Sequence, residues 1–219
     1  MAIPEAAGRA RINREAVPRD IVVIGASAGG VEALSRLFAR LPARLPAALA
    51  VVLHMRPTQA SSLPAILARA GRLPVVAATD GAAFGPGSVY VAVPDQHLLV
   101  QKDRIHLSRD PREHLTRPAI DPLFRSAAAA YGPRVIGVLL SGVGTDGVTG
   151  ATAIKRAGGL VLVEKPSEAR HPTLPLAAIR HDGVDAVLAV DELADVLPKL
   201  AVGESVDHVP GLTIARREG

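Results

Sequence analysis

Cysteine is absent from the 219 residues. That single absence excludes a disulfide scaffold, a thiolate zinc centre, an iron–sulfur cluster and a cysteine nucleophile, and it suits a reducing compartment. Tryptophan is absent too, and the aromatic share is only 2%. Stacking platforms for single-stranded nucleic acid need more rings than that, and no Lys/Arg run concentrates the net charge of +4 into a stripe. Nucleic acid is therefore not an expected partner. No apolar run approaches the roughly 20 residues of a membrane span, and the first twenty residues lack the apolar core of a secretory signal. The expected location is the cytoplasm. What the chain does hold is apolar material: 48% hydrophobic against 21% charged residues supplies a core and excludes global disorder.

Residues 1–18, with prolines and arginines but no apolar period, read as a flexible arm, and 203–219 read as a tail. Between them, 19–202 form one domain. Short Val/Ile/Leu runs at 21–24, 49–53, 134–140 and 160–163 alternate with helical patterns at 29–40, 61–70, 121–131 and 146–157. A last helix near 174–180, the strand VDAVLAV and the helix DELADVLPKL complete the pattern. Continuous apolar runs separated by helices indicate parallel strands buried on both faces. SVYVAV at 88–93, HLLV at 97–100 and RIHLS at 104–108 are joined by short turns, which predicts antiparallel hairpins inserted into that rhythm. The expected fold is an α/β, doubly wound, mostly parallel sheet with an inserted antiparallel hairpin, in a single three-layer domain.

In open parallel sheets, ligands bind where strands run into helices at the carboxyl edge. Three such loops each offer one member of a catalytic set. Gly25 to Gly29 spells G-x-S-x-G, placing Ser27 on a sharp turn with helix N–H groups nearby; the Ala28 N–H is a candidate oxyanion donor. His54 closes the second strand, about 5 Å from the first in a βαβ unit, where a neutral imidazole can accept a hydroxyl proton. Asp146 lies in the glycine-rich loop 141–147, where its carboxylate can either cap the helix that follows or orient the imidazole. Each residue alone has a plain structural use, but their coincidence on three strand ends favours catalysis.

A rival fingerprint overlaps the third loop. Gly142-x-Gly144-x-x-Gly147 follows a strand, and the next strand ends in Glu164, the spacing of a dinucleotide site. An NAD(P)-binding oxidoreductase is thus one alternative, although it leaves Ser27 and His54 without a role. A catalytically silent signalling adaptor is another. Asp121-Pro122 reads as a helix N-cap followed by proline at the first helical position. The histidines at 97, 106, 114, 171, 181 and 208 form no close pair at metal-ligand spacing, so neither a metal nor a cofactor is expected.

The strings GASAGGVEAL, LHMRP, RPAIDPLF and SGVGTDGVTGA, with VAVPDQHLLV and HPTLP between and after them, resemble the catalytic domain of CheB-type protein-glutamate methylesterases over about 20–200. The resemblance implies a serine hydrolase using Ser27, His54 and Asp146, with backbone N–H groups of Ala28 and Val143 forming the oxyanion hole and no cofactor. It implies removal of methyl groups from glutamyl γ-methyl esters of methyl-accepting chemotaxis-type receptors, release of methanol, deamidation of particular glutamines, and contact with other chemosensory proteins. Val143 stands where the family often has methionine. Arg56, after the His-Met pair, adds positive charge suited to an acidic protein substrate, and Arg117 fits the family pattern; both are candidate substrate contacts. With only about twenty residues before the first strand, regulation by an attached receiver domain is not expected.

Overall fold

The valine- and isoleucine-rich runs pair side by side into one sheet because every residue along them is buried and only parallel strands covered on both faces accommodate that. The computed structural model describes residues 17–58, 60–181 and 183–204; residues 1–16 of the expected arm and 205–219 of the expected tail lie outside it. The described elements run β1 (Ile21–Ala26), α1 (Gly30–Arg40), β2 (Ala48–Leu53), α2 (Leu63–Ala70), β3 (Val75–Ala77), β4 (Val89–Val91), β5 (His97–Gln101), β6 (Arg104–Ser108) and α3 (Ile120–Tyr131). They continue with β7 (Val135–Leu139), α4 (Val148–Arg156), β8 (Leu160–Glu164), α5 (Thr173–Arg180), β9 (Ala186–Leu188) and α6 (Val190–Ala201).

Seven parallel strands follow the order β3-β4-β2-β1-β7-β8-β9. Alternation along β1 divides the core: Val22, Ile24 and Ala26 face α1, α2 and α6, while Ile21 and Val23 face α3, α4 and α5. This is the expected α/β, doubly wound, three-layer domain. The chain first winds outward from β1 through β2, then returns to β7 on its other side, so the order reverses between β1 and β7. In doubly wound sheets, ligands bind outside the carboxyl ends of the strands at such a reversal.

Two details differ from expectation. The 88–93 segment is not part of an antiparallel hairpin; its core, β4, joins the main sheet in parallel beside β2. Among the described strands, only β5 and β6 pair antiparallel, and they pack through Leu98, Val100 and Ile105 onto the α3 side of the core. β4 is three residues long and its neighbour in sequence is a true hairpin, so the local spacing carried the wrong strand direction. The second detail is β3, an edge strand with Val76 and Ala77 exposed, too short and too solvated to show a buried-strand pattern.

Phe124 on α3 is fully buried and packs where Gly137 of β7 and Gly150 of α4 leave room for its ring and Cβ. Truncation to alanine leaves a cavity that the surrounding sheet and helix cannot close. Phe124→Ala is expected to cost about 3 to 5 kcal/mol of stability, read from the urea midpoint at constant m-value.

Candidate active site

Register alone brings the first two residues together. Ala26 pairs with Leu53, so Ser27 and His54 occupy the next row at the ends of adjacent strands. The His54 N–H donates to the Ala26 carbonyl at 3.1 Å, and the Ser27 N–H donates to the Ser141 carbonyl at 3.0 Å, tying all three loops into one rim. After Ser27 the chain turns sharply, with the Gly30 N–H donating back to the Ser27 carbonyl at 2.9 Å. The two glycines of G-x-S-x-G have different jobs. Gly29 takes φ +75°, a left-handed conformation that a side chain would strain, whereas Gly25 lies inside β1, where a Cβ would meet Ile120 of α3 at 2.4 Å. The first glycine thus serves helix-to-strand approach and the second serves the turn.

His54 Nδ1 lies 3.1 Å from Ser27 Oγ, and His54 Nε2 lies 2.7 Å from Asp146 Oδ2. Asp146 is buried, and an ionised carboxylate only accepts hydrogen bonds, so Nε2 carries the ring proton and Nδ1 is left as an acceptor facing the hydroxyl. The arrangement can deprotonate Ser27 and stabilise the imidazolium that results.

Asp146 does not cap its own helix. Its carboxylate takes the Ile120 N–H on Oδ2 at 2.6 Å and the Asp121 N–H on Oδ1 at 2.9 Å, capping the start of α3. Burial alone would push this carboxyl up. The His54 hydrogen bond and the two backbone N–H groups outweigh burial and hold it below its ordinary 3.8. The group is thus ionised through the neutral range; the stability it lends is present above about pH 4 and is lost as pH falls through its lowered folded value. An acid titration of unfolding free energy should show that loss, and Asp146→Asn should remove it.

Asp121 also departs from the N-cap expected of it. α3 begins at Ile120 behind Ala119, so Asp121 sits one position inside the helix. With its own helix start served by Asp146, its buried carboxylate crosses over and accepts the Gly150 N–H in the first turn of α4 at 2.6 Å. Asp146, ahead of α4, thus caps α3, and Asp121, in the first turn of α3, caps α4. Burial pushes the Asp121 carboxyl up against the pull of that N–H, with the Asp146 charge adding to the rise.

Among the described residues, the N–H groups of Ala28 and Val143 have no protein acceptor, as an oxyanion hole requires. The Val143 side chain is half exposed. Arg56 is exposed and forms no ion pair among the described residues. Arg117 is heavily engaged: its guanidinium donates to Asp95 at 2.8 and 3.2 Å and to the Arg109 and Asp110 carbonyls at 2.8 and 2.9 Å.

The dinucleotide fingerprint finds no support in the geometry. Glu164 is buried and accepts the Ser141 N–H at 2.6 Å, so it is not presented to a ribose, and the first turn of α4 is already capped by Asp121 instead of being open to a diphosphate. Ser141 was missed by sequence reasoning. Its buried hydroxyl donates to the Ala28 carbonyl at 2.9 Å and accepts the His171 N–H at 2.9 Å, fastening the nucleophile loop to the HPTLP run. His114 was also missed as a site neighbour. With Asp121 and Asp146 it gathers ligand-capable atoms within 4.8 Å of one another. Backbone N–H groups already bond three of the four carboxylate oxygens and His114 the fourth, so the cluster's donors are committed within the protein.

A doubly wound α/β domain with a serine–histidine–aspartate hydrogen-bond chain at the reversal point of its sheet has the arrangement on which serine hydrolases are built. The CheB methylesterase family model matches residues 22–197, and the chain belongs to that family. A protein-glutamate methylesterase/protein-glutamine glutaminase of Anaeromyxobacter dehalogenans is 43% identical over 184 residues, covering 83% of this chain and 54% of its own. A relative from Leptospira interrogans is 34% identical over 182 residues, covering 83% of this chain and 94% of its own. The crystal structure of the Thermotoga maritima CheB methylesterase catalytic domain aligns with a TM-score of 0.79 at 34% identity, covering 84% of this chain and all of that one. The chain spans about half the length of the Anaeromyxobacter relative.

Proposed function

We propose that this domain hydrolyses γ-methyl esters of glutamyl side chains on methyl-accepting chemotaxis-type receptors in the cytoplasm, releasing methanol, and deamidates particular glutamines through the same site. The observation that carries the reading is the continuous hydrogen-bond chain Ser27 Oγ–His54 Nδ1, His54 Nε2–Asp146 Oδ2. The names of the relatives support it, and no described helix is long and apolar enough to cross a membrane.

Ser27 Oγ attacks the ester carbonyl carbon while His54 Nδ1 takes the hydroxyl proton, and Asp146 stabilises the imidazolium. Negative charge developing on the carbonyl oxygen is met by the Ala28 and Val143 N–H groups. Collapse of the tetrahedral species breaks the carbon–methoxy bond, and His54 returns the proton so that methanol leaves. Water, deprotonated by His54 in turn, cleaves the Ser27 acyl ester and frees the glutamate carboxylate. With an amide substrate, ammonia leaves in place of methanol. Arg56 is the cation facing an acidic protein substrate, while Arg117 pins the loop before α3 through Asp95. An adaptor without turnover has no use for free N–H groups set beside an activated hydroxyl.

The test is methanol release from a methyl-esterified receptor fragment. Stoichiometric methanol is the expected result, and none above the uncatalysed rate overturns the reading.

A further inference from the structure

At its second oxygen, the carboxylate that orients His54 meets another histidine. His114 Nε2 lies 3.8 Å from Asp146 Oδ1 and 2.9 Å from Asp121 Oδ2. The shorter contact is a hydrogen bond, with the ring N–H donating to the Asp121 carboxylate; the longer one is too far for a hydrogen bond but within ion-pair range. His114 reaches this place on a strained support. Residues 113–116 form a tight turn closed by the Thr116 N–H donating to the Glu113 carbonyl at 2.9 Å, and its two central residues, His114 and Leu115, have φ of +49° and +64°. Positive φ at both central positions is the type I′ pattern, which Asn-Gly satisfies and His-Leu does not. The turn is held by Glu113, whose carboxylate accepts two hydrogen bonds from Arg125 of α3 at 2.6 and 3.0 Å. Non-glycine residues kept in such conformations collect at working sites.

Two carboxylates are buried here side by side, and each raises the cost of ionising the other. The groups around them are His114 and Glu113 from the turn, Arg125 from α3 and His54 from the end of β2, with His181, after α5, lining a cleft together with His114 and Arg125. Of the cationic groups, Arg125 is bound to Glu113, His54 serves the hydroxyl, and His114 is the one in contact with Asp121. Asp121 in turn presents its backbone N–H to Asp146 Oδ1.

We propose that His114 is a positioning residue of the reacting chain: by bonding Asp121 and balancing the paired carboxylates, it keeps Asp146 ionised and aimed at His54. The inference deepens the hydrolase reading and rests on it. Removing the imidazole takes away the hydrogen bond to Asp121 and the positive charge that the ring can carry beside the two carboxylates, so the pair takes up a proton at higher pH and Asp146 loses charge earlier on acidification.

The test compares methyl-ester hydrolysis and thermal unfolding of the parent, His114→Gly and His114→Gln. Glycine suits a φ of +49°, so a residue that mattered only for the turn would leave activity intact in His114→Gly and raise its melting temperature. The expected result is a kcat lowered about 10-fold in His114→Gly, with KM unchanged and the acid limb of kcat/KM moved to higher pH. His114→Gln keeps an N–H for Asp121 but no titratable charge; it should regain most of kcat near neutrality while its acid limb stays shifted. If His114→Gly fails to fold, the shifted acid limb of His114→Gln carries the test. Parent-like kcat and parent-like pH profiles in the folded variants overturn the inference. A parent that releases no methanol overturns the hydrolase reading itself.

Discussion

Ser27→Ala is expected to lower kcat by about 10⁴- to 10⁶-fold while leaving the melting temperature and substrate affinity close to the parent's, because in the proposed mechanism the Ser27 hydroxyl, facing His54 Nδ1, forms the covalent intermediate. The hydroxyl is half-buried at the rim and its one side-chain partner is His54, so its loss leaves no orphaned polar group in the core. Residual hydrolysis above the uncatalysed rate should survive, since the Ala28 and Val143 N–H groups and the substrate contacts remain. Rapid-quench measurement of the acyl-enzyme gives the sharper readout: a burst of methanol equal to enzyme in the parent and none in the variant. A variant within ten-fold of the parent would remove Ser27 from the mechanism.

Asp146→Asn should lower kcat by about 10⁴-fold, and unlike Ser27→Ala it should also destabilise the fold. Both oxygens of Asp146 accept, Oδ2 from His54 and Ile120 and Oδ1 from Asp121. An asparagine has one oxygen to offer. If its NH2 group takes the place of Oδ1, it faces the Asp121 N–H, donor against donor. If it takes the place of Oδ2, it faces the Ile120 N–H and drives His54 into the tautomer whose proton sits on Nδ1, where it can no longer receive one from Ser27. Either choice leaves a buried donor unpaired at the start of α3, a loss of about 1 to 3 kcal/mol in chemical denaturation. Catalytic loss without any loss of stability would show that Asp146 does not cap α3 as described.

The double duty of Asp146 explains what could and could not be read from the chain. The parallel core was legible because β1, β2, β7 and β8 are apolar along their whole length, and the placement of Ser27, His54 and Asp146 on one rim followed from the rule that such sheets bind at their carboxyl edge. Direction was not legible for β4, where three residues carry too little pattern to separate a sheet strand from a hairpin arm. Capping was misplaced for Asp121 because local sequence shows a carboxylate at a helix start but not that a second carboxylate, 25 residues on, already serves it. The cross-capping of α3 and α4 exists only once the helices lie together.

The orientation of the His54 ring was beyond reach for the same reason. Spacing brings an imidazole to a serine, but which nitrogen faces which partner depends on the approach of the third loop. His114 was invisible to a search for ligand pairs at short spacing, since its partners are 7 and 32 residues away in sequence. The only local signal was a turn built from residues that dislike it, and φ values are not written in a sequence. Arg117 illustrates the converse: it stood out in a motif, yet its hydrogen bonds to Asp95 and two carbonyls are a loop anchor's.

Covalent labelling with a fluorophosphonate, followed by mass spectrometry of the digested protein, tests the central claim most directly. The account predicts one adduct per chain, on Ser27, formed far faster than on any other hydroxyl and suppressed by His54→Ala. Labelling of Ser27 no faster than of an exposed serine such as Ser167, or an adduct formed preferentially elsewhere, would contradict it.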